Sequence, residues 1–238
     1  MRPTVILSCE HGGNRIPKRY AAAFASSTEL LASHRGFDAG ALEVAKLLSK
    51  RLRVPMYGAT VSRLLVDLNR SLGHPALFSA ISKEFPTSDR QAVVRDYYVP
   101  HRSAVETAIA RAVRRGSVLH VCVHSFTPEL HGEVRRADVG LLYDPKRAGE
   151  RAFCHLWRAT SRAVSPEVRV RMNYPYRGTA DGFSTILRRR WPAHRYMGIE
   201  IELNQKFVLA GGAIWRQFKA VVESCFVQSI RNFKVREL

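Results

Sequence analysis

The chain has 238 residues, 46% of them hydrophobic and 24% charged, which is the composition of a globular protein with enough apolar material for a sizeable core. No apolar run approaches the roughly 20 residues that cross a bilayer. The start, MRPTVILSCEHGG, has neither the apolar length nor the cleavage site of a secretory signal, so a cytoplasmic protein with no membrane partner is expected. Cys9, Cys122, Cys154 and Cys225 form no CxxC pair and read as reduced, buried thiols.

In chain order, Thr4–Cys9 reads as a strand. Over Asp38–Leu52, residues Ala41, Val44, Ala45, Leu48 and Leu52 fall at helical spacing, with Asp38 as N-cap and Glu43 early in the helix. Val54–Ala59 reads as a short strand, and Leu64–Leu68 as another apolar strand ending in polar residues. Asp89–Arg115 is helical around Pro100, with Val105, Ile109 and Val113 as its apolar stripe. Strands follow at Val118–Val123 and Val139–Tyr143, a helix at Glu150–Val164, strands at Val168–Met172 and Tyr196–Leu203, and a closing helix at Ala210–Val227. Alternating strands and helices predict an α/β fold: one domain over 1–238, three layers (α/β/α), with a mostly parallel mixed sheet. No repeat or linker interrupts it. Ligands of such sheets bind beyond the carboxyl ends of the strands.

Four of those ends carry unusual chemistry. The first gives Glu10-His11-Gly12-Gly13-Asn14, the third Asp67, Asn69 and Arg70, the fourth His124 and Ser125, and the last Glu200, Glu202 and Asn204. Alternation puts His120, Cys122 and His124 on one face of their strand, and Glu200, Glu202 and Asn204 on one face of theirs. Two acids on one face of an apolar strand are costly to bury unless a cation or an arginine meets them. Two histidines from distant strand ends, an oxygen ligand near the first and a carboxylate base make a zinc-hydrolase set, in which three protein ligands leave a position open for water. Nearby Asn and Arg side chains suit a substrate carboxylate.

The segments SCEHGGNRIP, FDAGA, SRLLVDLNRS, HSFTP and IEIELNQ, in this order, resemble the N-formylglutamate amidohydrolase family, and through it the wider zinc carboxypeptidase and aspartoacylase group. The resemblance covers nearly the whole chain and implies a zinc-peptidase-like fold and one Zn2+ per chain. By it, His11 and His124 would be zinc ligands and Glu202 the general base. Asn69 and Arg70 would grip a substrate carboxylate, and Arg63 would polarise the scissile carbonyl. The wider group has His-x-x-Glu where this chain has His11-Gly12-Gly13-Asn14. By the resemblance the third ligand would be Asn14 through its amide oxygen, or else Glu10 or Asp38. Asp67, Ser125 and Tyr176 complete the expected substrate contacts, with Arg177 and Gly178 beside Tyr176 in a loop before the acidic strand.

The implied activity is hydrolysis of the amide of a small anionic N-acyl acidic amino acid, N-formyl-L-glutamate first, to glutamate and formate. Two other readings stand beside it. One is a related zinc hydrolase acting on peptide or peptidoglycan fragments. The other is a degenerate member that binds nucleic acid or another anion, motivated by a net charge of +18 from 38 Lys and Arg against 20 Asp and Glu. No helix-turn-helix, zinc-finger, RNP or KH signature accompanies that charge.

Overall fold

The computed structural model describes residues 2–235. Its strands are β1 (Thr4–Cys9), β2 (Met56–Gly58), β3 (Val118–Phe126), β4 (Glu129–Leu130), β5 (Glu133–Val134), β6 (Val139–Leu142), β7 (Val170–Met172) and β8 (Tyr196–Asn204). Its α-helices are α1 (Thr28–Ala32), α2 (Ala41–Leu52), α3 (Ala80–Lys83), α4 (Thr87–Val93), α5 (Val99–Val113), α6 (Ala148–Val164), α7 (Phe183–Arg190), α8 (Lys206–Ala210) and α9 (Gly212–Asn232). Six strands form one sheet in the order β2-β1-β3-β8-β6-β7, and β4 and β5 form a small hairpin. The pairs β2–β1, β1–β3, β3–β8 and β6–β7 are parallel, and β8–β6 is antiparallel, so the sheet is mixed and mostly parallel as expected.

Strand alternation sorts the side chains. Val5, Leu7 and Cys9 of β1, Leu119, Val121 and Val123 of β3, and Ile199, Ile201 and Leu203 of β8 enter the main core, where α2, α6 and α9 cover them. The other face meets α5 and α7 through Ile6, Val105, Ile109, Phe183 and Leu187. That second face also carries Ser8, His120, Cys122, His124, Glu200 and Glu202, so β3 and β8 are buried on both sides. Backbone pairing satisfies the strands, and the polar side chains need partners of their own.

Three expectations change. Leu64–Leu68 is not a strand: it is a buried loop whose Leu64, Leu65, Val66 and Leu68 pack with Tyr20, Phe24 and Val93 in a separate core. A continuous apolar run reads the same either way, because burial rather than pleating demands it. Asp38 does not cap α2. Gly40 does, at φ 80°, a left-handed position that suits glycine. The closing helix starts two residues later than expected, as α9 at Gly212, where Gly211 and Gly212 take φ of 65° and 52°, and a separate short helix, α8, precedes it. Among the described residues no helix is long and apolar enough to cross a membrane.

Candidate active site

The chain leaves β1 through a turn laid against the segment after β2. Added Cβ atoms at Gly12 and Gly13 would come 2.8 Å from the Ala59 carbonyl and 2.7 Å from the Thr60 carbonyl, which is why the turn has glycines. The turn buries Glu10 and His11 at 0% and 1% exposure. The Asp38 amide donates to the His11 carbonyl at 2.9 Å, fixing the FDAGA segment beside it. His124 arrives from the end of β3, directly opposite Glu202 of β8 in the register.

These segments converge on one cluster. Asp38 Oδ2 lies 2.9 Å from His124 Nδ1 and 3.4 Å from His11 Nδ1. One ligand atom from each of the three residues falls within 4.8 Å of the others. Each imidazole turns its far nitrogen to a buried carboxylate: His11 Nε2 donates to Asp67 Oδ1 at 2.7 Å, and His124 Nε2 stands 3.2 Å from Glu10 Oε2. That is the carboxylate–histidine arrangement that orients metal ligands and makes them more basic. Arg63 spans the two aspartates, Nη1 donating to Asp38 Oδ1 at 3.3 Å and Nη2 to Asp67 Oδ2 at 2.8 Å.

Electrostatics agree with a cation at this point. Burial opposes ionisation of Asp38 and Asp67, yet the His11 imidazole and the Arg63 guanidinium hold both carboxyls well below their usual range. Burial likewise opposes a charged His124, and its hydrogen bonds with Asp38, Cys122 and Glu10 outweigh this and raise its pKa. His11 Nδ1, which faces the Asp38 carboxylate, is buried with no hydrogen-bond partner. Two ring nitrogens and a carboxylate oxygen, with one ring nitrogen orphaned, fit a divalent metal of the zinc type.

Glu202 stands apart from these pairs. It is 5% exposed, its Oε2 has no hydrogen-bond partner, and burial pushes its pKa up to about 8. Beside the cluster lies a cavity of about 220 Å³, walled by Arg63, Asn69, Arg70, Arg177, Tyr176 and Glu202 among others. That is smaller than the roughly 300 Å³ at which pockets for drug-sized ligands begin.

The structure thus brings together His11, His124, Arg63, Asn69, Arg70, Ser125, Tyr176 and Glu202. Asn14 stays outside. Its exposed side chain donates to the Leu31 carbonyl at 3.1 Å, and Asp38 takes the place expected for it. Two glycines carry the chain away from the cluster before Asn14, so a spacing borrowed from His-x-x-Glu does not return it. Asp67 does not line the cavity either: His11, Arg63 and the Asn69 amide occupy its oxygens. Asn69 Oδ1 accepts from the Phe183 amide at 2.7 Å, and Arg70 Nη1 donates to the Asp181 carbonyl at 2.8 Å, which anchors both side chains. Ser125 Oγ donates to the Ala39 carbonyl and accepts from Gln205 Nε2. Tyr176, 44% exposed, accepts from Arg135 through its hydroxyl at the mouth. Gly178 packs on the Tyr143 backbone and is no part of the wall.

A model of the N-formylglutamate amidohydrolase family matches residues 4–209. The chain belongs to that family. It is therefore a hydrolase of the amidohydrolase type. The structure is similar to that of gene product Atu2144 from Agrobacterium tumefaciens, with a TM-score of 0.82 and 26% identity over 96% of this chain and 91% of that one. It also resembles the N-formylglutamate amidohydrolase from Ralstonia eutropha JMP134, with a TM-score of 0.74 and 16% identity over 97% and 93% of the two chains, a likeness of fold. No curated protein matches the sequence.

Some site residues gave no readable signal. His34 and Asp181 also line the cavity, beside Glu200, which strand alternation puts on the face of Glu202. His101 places Nε2 3.4 Å from Glu10 Oε1 with only 8% of its side chain exposed. It sits on α5, and only the docking of that helix on β1 and β3 gives it a role.

Proposed function

We propose that the chain is a zinc-dependent amidohydrolase that cleaves an N-acyl acidic amino acid, N-formyl-L-glutamate first, to the amino acid and formate. The observation that carries this reading is the buried His11–Asp38–His124 cluster beside an unpartnered, proton-competent Glu202 in an arginine-walled cavity.

His11 Nδ1, Asp38 Oδ2 and His124 Nδ1 would hold the metal. When bound, it supplies Lewis acidity at the scissile carbonyl and makes water a stronger acid. Glu202 accepts the proton of the attacking water and delivers it to the departing amide nitrogen, a role suited to a carboxyl poised near neutral pH. Arg63 lends positive charge to the developing oxyanion. Asn69 and Arg70 hold a substrate carboxylate, Arg70 having one Nη committed to Asp181 and the rest of its fork left for the ligand. Ser125 and Tyr176 close the polar wall. The cavity volume favours a small metabolite over a peptide or peptidoglycan strand. A net charge of +18 draws in a dianion and needs no nucleic-acid partner. Four free, buried cysteines support a reducing, cytoplasmic setting.

Elemental analysis of untagged wild type beside His124→Ala tests the reading, followed by formate release from N-formyl-L-glutamate. Zinc in the wild type, its loss in the variant and formate release by the wild type alone are expected. A wild type that holds no metal even after zinc is supplied, and releases nothing from N-acyl amino acids, overturns it.

A further inference from the structure

Residues 87–113 form one continuous helical run with a π-helical turn, Val94–Tyr98, between α4 and α5. Pro100 follows it after one residue, Val99. Proline has no N–H to give the preceding turn, and its ring crowds the carbonyl four residues back. A π turn, here closed by the Val99 amide on the Val94 carbonyl, widens the helix where proline needs room. Such a turn also rotates everything after it relative to what came before. Tyr98, His101 and Arg102, spaced i, i+3 and i+4, thereby share the face turned to the site.

Each of the three grips a different part of the polar strand ends. The Tyr98 hydroxyl donates to the Arg70 carbonyl at 2.7 Å. Arg102 Nη1 donates to the Leu68 carbonyl at 3.1 Å and the Arg70 carbonyl at 3.2 Å, while its guanidinium lies 3.9 Å from the Phe183 ring centroid and 5.1 Å from that of Tyr98. Arg102 is 5% exposed and forms no ion pair among the described residues, so a buried cation is spent on two backbone carbonyls. Those carbonyls bracket Asn69. His101 meets Glu10, the carboxylate behind His124.

We infer that the turn joining the π segment to α5 positions both halves of the site: Tyr98 and Arg102 set the Asn69–Arg70 segment, and His101 sets Glu10 and through it the His124 ring. All three are positioning residues, since none lines the cavity. The inference deepens the proposed function and rests on it, the substrate half for its substrate and the metal half for its zinc site. The metal half stands on geometry that needs no substrate.

The test separates the halves. Arg102→Lys keeps the charge but loses the planar fork and the stacking. Tyr98→Phe loses the hydroxyl alone. His101→Leu removes the ring donor, and His101→Gln restores an N–H near the position of Nε2. Hydrolysis of N-formyl-L-glutamate is measured for each protein, and Zn2+ affinity of the metal-stripped proteins by competition with a chromophoric chelator. Arg102→Lys is expected to raise KM about tenfold with kcat and Zn2+ affinity little changed, and Tyr98→Phe to do the same more weakly. His101→Leu is expected to weaken Zn2+ binding on the order of tenfold, the low end for groups behind metal ligands, with His101→Gln recovering most of it. Folded variants with wild-type KM and Zn2+ affinity overturn the inference, as do variants that only melt at lower temperature. If the wild type hydrolyses no N-acyl amino acid but His101→Leu still loses Zn2+ and His101→Gln regains it, the functional reading fails and the positioning of His124 holds.

Discussion

Two buried charged clusters lie on the same sheet, and they are built on opposite plans. Behind β8, Glu150 and Arg188 close on themselves. Glu150 Oε1 accepts from Arg188 Nε at 3.0 Å and from the Gly198 amide at 2.9 Å, and its Oε2 from the Asp144 amide at 2.9 Å. Arg188 spends its remaining donors on Thr185 and on the Gly178 and Gly198 carbonyls. No side-chain atom of either residue is buried without a partner. Around Asp38, by contrast, His11 Nδ1 and Glu202 Oε2 are buried with no hydrogen-bond partner, while His124 Nε2 and Glu10 Oε2 have only each other, at 3.2 Å. Leaving one buried polar atom unpaired costs about 1–3 kcal/mol. A fold able to satisfy one cluster completely while leaving the other open keeps the open one for something it binds. The contrast also explains why a perturbed carboxyl alone is a poor guide: burial raises both Glu150 and Glu202. Only Glu202 has an oxygen with nothing to hold.

The largest effect should come from the open cluster. Glu202→Gln keeps the shape and removes the proton acceptor, so kcat should fall by about 10³ to 10⁴, or roughly 4–5 kcal/mol of barrier. Melting temperature should not fall, because the variant no longer buries an ionisable carboxyl. Steady-state kinetics with thermal denaturation checks both, and a Gln variant with wild-type kcat would remove Glu202 from the chemistry. The closed cluster should answer in the opposite way. Glu150→Gln leaves the Arg188 guanidinium buried without its counter-ion and should cost roughly 4 kcal/mol of stability. In material that still folds, kcat should be retained. Chemical denaturation beside activity per folded molecule measures the two separately.

The sequence exposes the closed parts of the fold better than the open ones. Apolar alternation in β3 and β8 is strict, so the face shared by His124 and Glu202 can be read directly, and the structure pairs those two residues in register. Helices α2, α5 and α6 are legible from spacing for the same reason: each buries one stripe against the sheet. What fails is whatever depends on how loops close in three dimensions. Asp38 joins the cluster because its amide bonds to the His11 carbonyl, a contact with no periodic signature, and its place before a helix suggests a cap instead. Asn14 looked suitable by spacing alone. Arg102 and His101 sit in a basic, polar stretch of helix, and the phase that aims them at the site is set by a π turn that no propensity reveals.

A third effect belongs to a neutral group of the closed kind. His120 is fully buried between Ser8 Oγ at 2.8 Å from Nε2 and the Tyr196 hydroxyl at 2.9 Å from Nδ1. Burial pushes its pKa down to about 4, against an attraction to Glu10 that works the other way. A histidine with a depressed folded pKa binds fewer protons folded than unfolded. Its stabilisation is therefore complete above about pH 6.5 and is lost as pH falls from there to about 4, up to a total on the order of 3 kcal/mol. Denaturation midpoints for wild type and His120→Gln across that window should converge as pH falls, since the variant has nothing to titrate. Parallel curves would mean that His120 is already charged in the folded protein.

The smallest effect tests what divides the two clusters, namely whether the carboxylates around the open one serve the imidazoles or merely balance Arg63. Asp67 touches both, accepting from His11 Nε2 and from Arg63 Nη2. If it serves His11, its carboxylate fixes the proton on Nε2 and leaves Nδ1 free and more basic towards Asp38. Asp67→Ala should then weaken Zn2+ binding about 10- to 100-fold, the usual cost of losing a group behind a metal ligand, or roughly 1.4–2.8 kcal/mol. Asp67→Asn should cost less, because its amide oxygen still accepts from Nε2–H and keeps the tautomer while giving up the charge. Balance alone predicts another order. Both variants would then leave Arg63 with Asp38 as its only counter-ion and would change Zn2+ affinity equally, because both remove the same charge. The ranking of the two variants in a chelator competition therefore decides between the roles, and a weaker Ala than Asn variant places Asp67 with the histidine.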